Sequence, residues 1–213
     1  MFLPLLSLTR VHRERYARGI EGREEIALDL ILMMLDRHGT KFDPDIVLSG
    51  DAYAKETLLT NVPVLLTGAH TMLSMIILRV LLDAGRESVT VSVAPILIAG
   101  AQQYARIVNP GPSTLLQVRS LLRQGLIVGA LVDREDPEER HVVHVDTAGC
   151  TLHINVSLLR VAAAVNARVL FLGTRIDEQD RVVIHLEVAK STTAEGVLEE
   201  LIEYLQEVQQ TRK

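Results

Sequence analysis

The chain has 213 residues, 48% of them hydrophobic and 23% charged, which is enough for one well-packed globular domain and too few for three. The 22 Lys and Arg residues against 27 Asp and Glu give a formal net charge of -5, the wrong sign for coating nucleic acid or an anionic membrane. Aromatic residues make up 3% and Trp is absent, leaving little from which to build a base-stacking platform, so no nucleic-acid partner is expected. The lone Cys150 can form neither an intramolecular disulfide nor a multi-thiolate zinc site, and a reducing, cytoplasmic setting is expected.

The chain begins Met1-Phe2-Leu3-Pro4-Leu5-Leu6-Ser7-Leu8, with no basic residue ahead of the apolar run and no small-residue cleavage pattern behind it, a poor match to a signal peptide. The run is well short of the roughly 20 apolar residues that cross a bilayer, so at most peripheral membrane contact is expected. Residues 22–38 place apolar positions among charges and stop at Gly39, which predicts a helix within an N-terminal helical segment, residues 1–44. The apolar stretch 62–78 is broken by Pro63, Gly68, His70 and Ser74 and reads as a buried strand followed by a buried helix.

In detail, Pro63-Val64-Leu65-Leu66-Thr67 has strand length, Gly68-Ala69-His70 is a turn, and residues 71–83 have helical periodicity before Gly85. Val89-Thr90-Val91-Ser92-Val93 is alternating and β-branched, residues 113–124 are amphipathic and closed by Gly125, and residues 126–132 form a buried strand ending at Asp133. The charged loop Arg134-Glu135-Asp136-Pro137-Glu138-Glu139-Arg140 reads as a solvated turn. Beyond it come short strands at 142–145 and 150–153, a helix at 155–165, strands at 168–173 and 182–188, and a closing amphipathic helix at 193–208. Strands separated by helices predict a single α/β domain over residues 1–213, with a mostly parallel central sheet covered by helices on both faces. Ligands of such sheets gather at the carboxyl ends of the strands, the rim on which His70 and Asp133 are expected.

Several site types are missing. No G-x-G-x-x-G or G-x-x-x-x-G-K-[ST] occurs, which disfavours dinucleotide and phosphate-loop folds, and no G-x-S-x-G supplies a hydrolase nucleophile elbow. His141, His144, Asp146, Cys150 and His153 have a composition that could ligate a metal. On a strand, however, residues three apart face opposite sides, so an exposed hairpin is the expectation and no metal is assigned. His70 sits in the turn before a helix, where free N–H groups could stabilise an oxyanion while the imidazole removes a proton from an attacking hydroxyl or amine.

From about residue 45 to residue 205 the sequence resembles the lysophospholipid acyltransferase superfamily, in particular its lipid A lauroyl and myristoyl acyltransferase branch. The resemblance is carried by Val64-Leu65-Leu66-Thr67-Gly68-Ala69-His70, by Leu121-Leu122-Arg123-Gln124-Gly125-Leu126-Ile127-Val128-Gly129-Ala130-Leu131-Val132-Asp133, and by Ala167-Arg168-Val169-Leu170-Phe171-Leu172-Gly173-Thr174-Arg175. It implies an acyltransferase-like fold and transfer of an acyl group from a carrier-protein or coenzyme A thioester to a hydroxyl or amine. His70 would be the general base, and the acyl thioester a co-substrate with no further cofactor.

The family expects an acid five residues after the histidine, where this chain has Met75. Asp133 is therefore the candidate acid, with Glu135 and Ser74 in support. Arg119, Arg123 and Arg134, with Arg140 and Arg160, are candidates for binding coenzyme A phosphates or an acidic acyl carrier protein. The acidic balance and the absence of an anchor point to a soluble small-molecule or lipid-like acceptor. Two alternatives stay open: a non-catalytic acyl-thioester or lipid-binding relative, favoured by Met75, and a thioesterase or esterase in which His70 activates water.

Overall fold

Short apolar runs bounded by glycine, proline and charged turns become strands, and the amphipathic stretches between them become helices. The computed structural model describes residues 45–68, 72–93, 95–98, 101, 103–132, 141–147, 150–179 and 181–210. The helix expected at 22–38 and the whole segment 1–44 lie outside the described residues, as do His70, Asp133, Arg134, Glu135 and Arg140. In chain order the elements are β1 (Ile46–Gly50), α1 (Ala52–Leu59), β2 (Val64–Gly68), a 3₁₀ turn (Met72–Ile76) leading into α2 (Ile77–Asp83), and β3 (Ser88–Val91). They continue with β4 (Leu97–Ile98), β5 (Gln103–Tyr104), β6 (Arg106–Val108), α3 (Thr114–Arg123) and β7 (Ile127–Leu131). The rest are β8 (Val142–Thr147), β9 (Cys150–Asn155), α4 (Ser157–Ala164), β10 (Arg168–Ile176), β11 (Val182–Val188) and α5 (Ala194–Gln210).

A seven-stranded sheet has the order β1-β11-β10-β2-β7-β3-β6. From β10 to β6 every neighbouring pair is parallel, β11 is antiparallel to β10, and β1 is parallel to β11. The sheet is thus mostly parallel, with its reversal at one side. β2 is buried along its whole length, which is why it reads as a continuous apolar run rather than an alternating one. Gly68 ends it so close to β10 that an added Cβ would collide with the Leu172 carbonyl oxygen, a backbone approach that only glycine permits.

Side chains alternate between two cores. On one face Leu66, Ile127, Leu172 and Ile184 pack under Leu58 of α1 and Leu78 and Leu81 of α2. On the other, Leu65, Val128, Val169 and Phe171 pack under Leu122 of α3, Leu159 of α4 and Leu201 and Tyr204 of α5. The hairpin β8–β9 joins this second core through Val145, Leu152 and Ile154.

The turn into α5 is held by Glu200, whose carboxylate accepts from the Lys190 N–H at 2.7 Å and the Ser191 N–H at 2.8 Å. Burial pushes this carboxyl up, but hydrogen bonds from the Ser191 side chain and from both N–H groups outweigh it and hold it below the ordinary glutamate value. A depressed folded-state value gives stability that is present above the unfolded value and is lost as pH falls through the folded one. Glu200→Gln is therefore expected to lower stability at pH 7 and to flatten its decline below about pH 4.5, near the unfolded glutamate value. Denaturant titrations at pH 7 and pH 3 check this; an unaltered acid limb would contradict it.

Candidate active-site groove

The parallel strands β2, β7 and β3 end on one rim. Gly68 and Leu131 are Cα partners there, and the Val132 N–H donates to the Gly68 carbonyl at 3.2 Å. A cavity of about 720 Å³ opens at this rim and runs back along the α2 face of β7. Its inner wall is Leu66, Leu78, Leu81 and Ile127, and its mouth is formed by Ser92, Val93, Leu115, Val132, Asn155 and Ser157. The volume lies in the range of small-molecule pockets, and the lining is mainly apolar.

Two residues give the groove its shape. Thr90 and Gly129 are Cα partners on adjacent strands, and both line it. With no side chain at Gly129, the floor stays open; a Cβ there would stand 3.6 Å from Thr90 Oγ1, an ordinary contact. Thr90 is 4% exposed, and its hydroxyl has no hydrogen-bond partner among the described residues. A buried unpaired hydroxyl costs about 1–3 kcal/mol. Thr90→Val is accordingly expected to raise the stability of the ligand-free protein by about 1 kcal/mol in urea titrations. A loss of stability would contradict the unpaired state.

The mouth also has a positive feature. α4 begins beside it at Ser157, whose N–H is bound by the Asn155 side chain at 3.0 Å. The N-terminal end of a helix carries a partial positive charge that favours a developing oxyanion.

The residues singled out from sequence fall into three groups. Ser74 is buried at 2% exposure and lines the groove, as does the half-buried Met75. Arg119 and Arg123 are exposed on α3 and are not part of the lining, and Arg160 is exposed and donates to His141 Nδ1 at 3.0 Å. His70 and Asp133 lie outside the described residues; in sequence, His70 comes two positions after Gly68 and Asp133 directly after Val132. The hairpin formed, with His144 opposite His153 and their rings edge to face at 4.8 Å, but it is not the exposed hairpin expected, since Val145, Leu152 and Ile154 are buried in the core beneath it. Among the described residues no group of three His, Cys, Asp or Glu side chains is placed to hold a metal.

Sequence reading passed over Thr90 and treated Gly129 only as part of a strand. The available signal was a glycine inside a buried strand, which often marks the close approach of a ligand or backbone. No protein-family model matches the chain, and no curated protein matches its sequence. Among the described residues no helix is long and apolar enough to cross a membrane.

Proposed function

We propose that the protein is an acyltransferase with a fold of the lysophospholipid acyltransferase type. It would move an acyl group from a carrier-protein or coenzyme A thioester to the hydroxyl or amine of a soluble or lipid-like acceptor, in a cytoplasmic setting. The observation that carries this reading is the apolar groove opening at the carboxyl ends of β2 and β7, the strands whose next polar residues are His70 and Asp133. Adjacent strands lie about 4.8 Å apart, and each further residue extends the chain by at most about 3.6 Å. In the proposed site His70 and Asp133, which in sequence come two positions after Gly68 and directly after Val132, act at this mouth.

In the proposed step the acyl chain occupies the groove and the thioester carbonyl lies at the rim. His70 takes the proton of the acceptor hydroxyl or amine as its oxygen or nitrogen bonds to the carbonyl carbon. The C–S bond then breaks and the departing thiolate receives that proton. No covalent acyl-enzyme is required. The α4 terminus favours the oxyanion, and Asp133 orients and stabilises the imidazolium.

Met75, at the place of the family's acid, contributes apolar wall instead, so the proposal takes its acid from Asp133, further along the sequence. Leu115, Arg119 and Arg123 are spaced four apart on α3 and share one face, so a basic stripe leads away from the mouth. Phosphates of coenzyme A or an acidic carrier fit that stripe.

The test is mass spectrometry of products from acyl-coenzyme A and acyl-carrier donors incubated with amine and alcohol acceptors. Acylated acceptor is expected. Free fatty acid alone would replace this reading with a thioesterase. Stabilisation by donor without any product would replace it with the binding-protein reading that Met75 favours.

A further inference from the structure

On the face covered by α5, at the opposite side of the sheet from β3 and β6, three polar side chains form a line across the β1–β11 pair. Ser49 and His185 are Cα partners, and Ser49 Oγ lies 3.1 Å from His185 Nδ1. His185 Nε2 in turn lies 3.0 Å from Glu187 Oε1. An ionised carboxylate only accepts, so the Nε2 position carries the ring hydrogen and donates it to Glu187. That leaves the Nδ1 lone pair to accept from the Ser49 hydroxyl. The alternative acceptor for this hydroxyl, the Ile184 carbonyl, is farther away at 3.4 Å.

The imidazole is fixed from a third direction. It stacks on the Tyr204 ring at 5.9 Å and 13°, and the Tyr204 hydroxyl donates to the His185 carbonyl at 3.0 Å. Ser49 is also placed as a nucleophile needs. It is the penultimate residue of a strand and is followed by Gly50, whose φ of +90 turns the chain into α1. A Cβ on Gly50 would strike the Leu186 backbone, so the turn requires glycine. The Asp51 N–H bonds to the Leu186 carbonyl, and alternation along the strand directs the Gly50 N–H away from β11. The N–H of the residue after a nucleophile is one of the two donors of a hydrolase oxyanion hole.

We propose that Ser49 is an activated nucleophile in a second reactive site, with His185 as its general base and Glu187 as the positioning residue. Its substrates are carboxylic esters of short acyl groups. The His185 and Glu187 side chains are 36% and 41% exposed, so the site is open to solvent rather than walled for a long chain. Ser49 Oγ bonds to the ester carbonyl carbon while its proton passes to His185 Nδ1. The C–O bond of the ester breaks, and the alcohol leaves with that proton. Water then attacks the acyl-serine, giving its proton to His185, which returns it to Ser49 Oγ as the carboxylic acid departs. The site uses neither the groove nor His70, so it stands independently of the acyl-transfer reading. It also lacks the G-x-S-x-G pattern around its serine, and its base comes from β11, 136 positions further along the chain.

The experiment treats the full chain with a fluorophosphonate probe and locates the adduct by peptide mass spectrometry, with circular dichroism of each variant as a folding control. A single adduct on Ser49 is expected. The labelling rate should fall by about 100-fold in His185→Gln, the low end of general-base contributions. Glu187→Asp, which keeps the carboxylate, should retain more of the labelling rate than Glu187→Gln, because a carboxylate holds the ring hydrogen at Nε2 and leaves Nδ1 free to accept from Ser49. Absence of label on Ser49, or an unchanged rate in folded His185→Gln, would overturn the proposal and leave the three side chains as a structural cross-strand link.

Discussion

Gly129→Leu is expected to weaken binding of long-chain acyl thioesters by more than about 100-fold while leaving short-chain binding intact. The substitution puts a four-carbon side chain onto the floor of the groove, where a Cβ meets Thr90 Oγ1 at 3.6 Å and strikes no backbone. The fold should therefore survive, and the added apolar burial should hold or raise the melting temperature. If the leucine displaces about four methylenes of a bound chain at about 0.8 kcal/mol each, affinity drops by about 3 kcal/mol. That corresponds to more than about 100-fold in Kd. Calorimetry with non-hydrolysable thioether analogues of increasing chain length would read it. A chain-length profile identical to that of the natural protein would mean that the groove does not hold the acyl chain.

The second large effect belongs to the proposed chemistry. His70→Ala is expected to lower kcat/KM for acyl transfer by about 10³, the middle of the range for a lost general base. The loss should appear mainly in kcat, because in the proposed step the groove rather than the imidazole holds the donor. Asp133→Asn should cost less than His70→Ala, and the double variant should be no worse than His70→Ala, since the two groups act as a unit. Turnover retained in His70→Ala would remove the histidine from the mechanism. Additive losses would separate Asp133 from it.

Much of the sheet was legible because burial on both faces writes itself as uninterrupted apolar runs. Val64-Leu65-Leu66 and Ile127-Val128 announced β2 and β7, and the structure makes them neighbours with Leu66 opposite Gly129. The amphipathic stretches at 113–124 and 193–208 likewise formed α3 and α5 within two residues of the expected ends. The expected helix over 71–83 instead has 3₁₀ geometry at Met72–Ile76 before α2. The expected strand at 168–173 runs on to Ile176, because its last residues pair with β11.

What escaped notice had weak local signals or non-local causes. α1 buries only Ala54, Thr57 and Leu58, too few positions to mark a face. β4, β5 and β6 are two or three residues long and show no period. β11 is antiparallel to β10, a choice set by the short turn at Asp177, where the Arg181 N–H and guanidinium both bind the carboxylate. The groove itself depends on register, since an absent side chain at Gly129 becomes space only when Thr90 stands beside it. Ser49 and His185 met for the same reason, across a strand pair that no local pattern encodes.

The most direct test of the central claim is photo-crosslinking with an acyl-coenzyme A thioether whose chain ends in a diazirine. Peptide mapping should place the adducts on the inner wall of the groove, on Leu78, Leu81 or Ile127, and Gly129→Leu should abolish them. Adducts confined to the outer face of α3, or persisting unchanged in Gly129→Leu, would contradict the account.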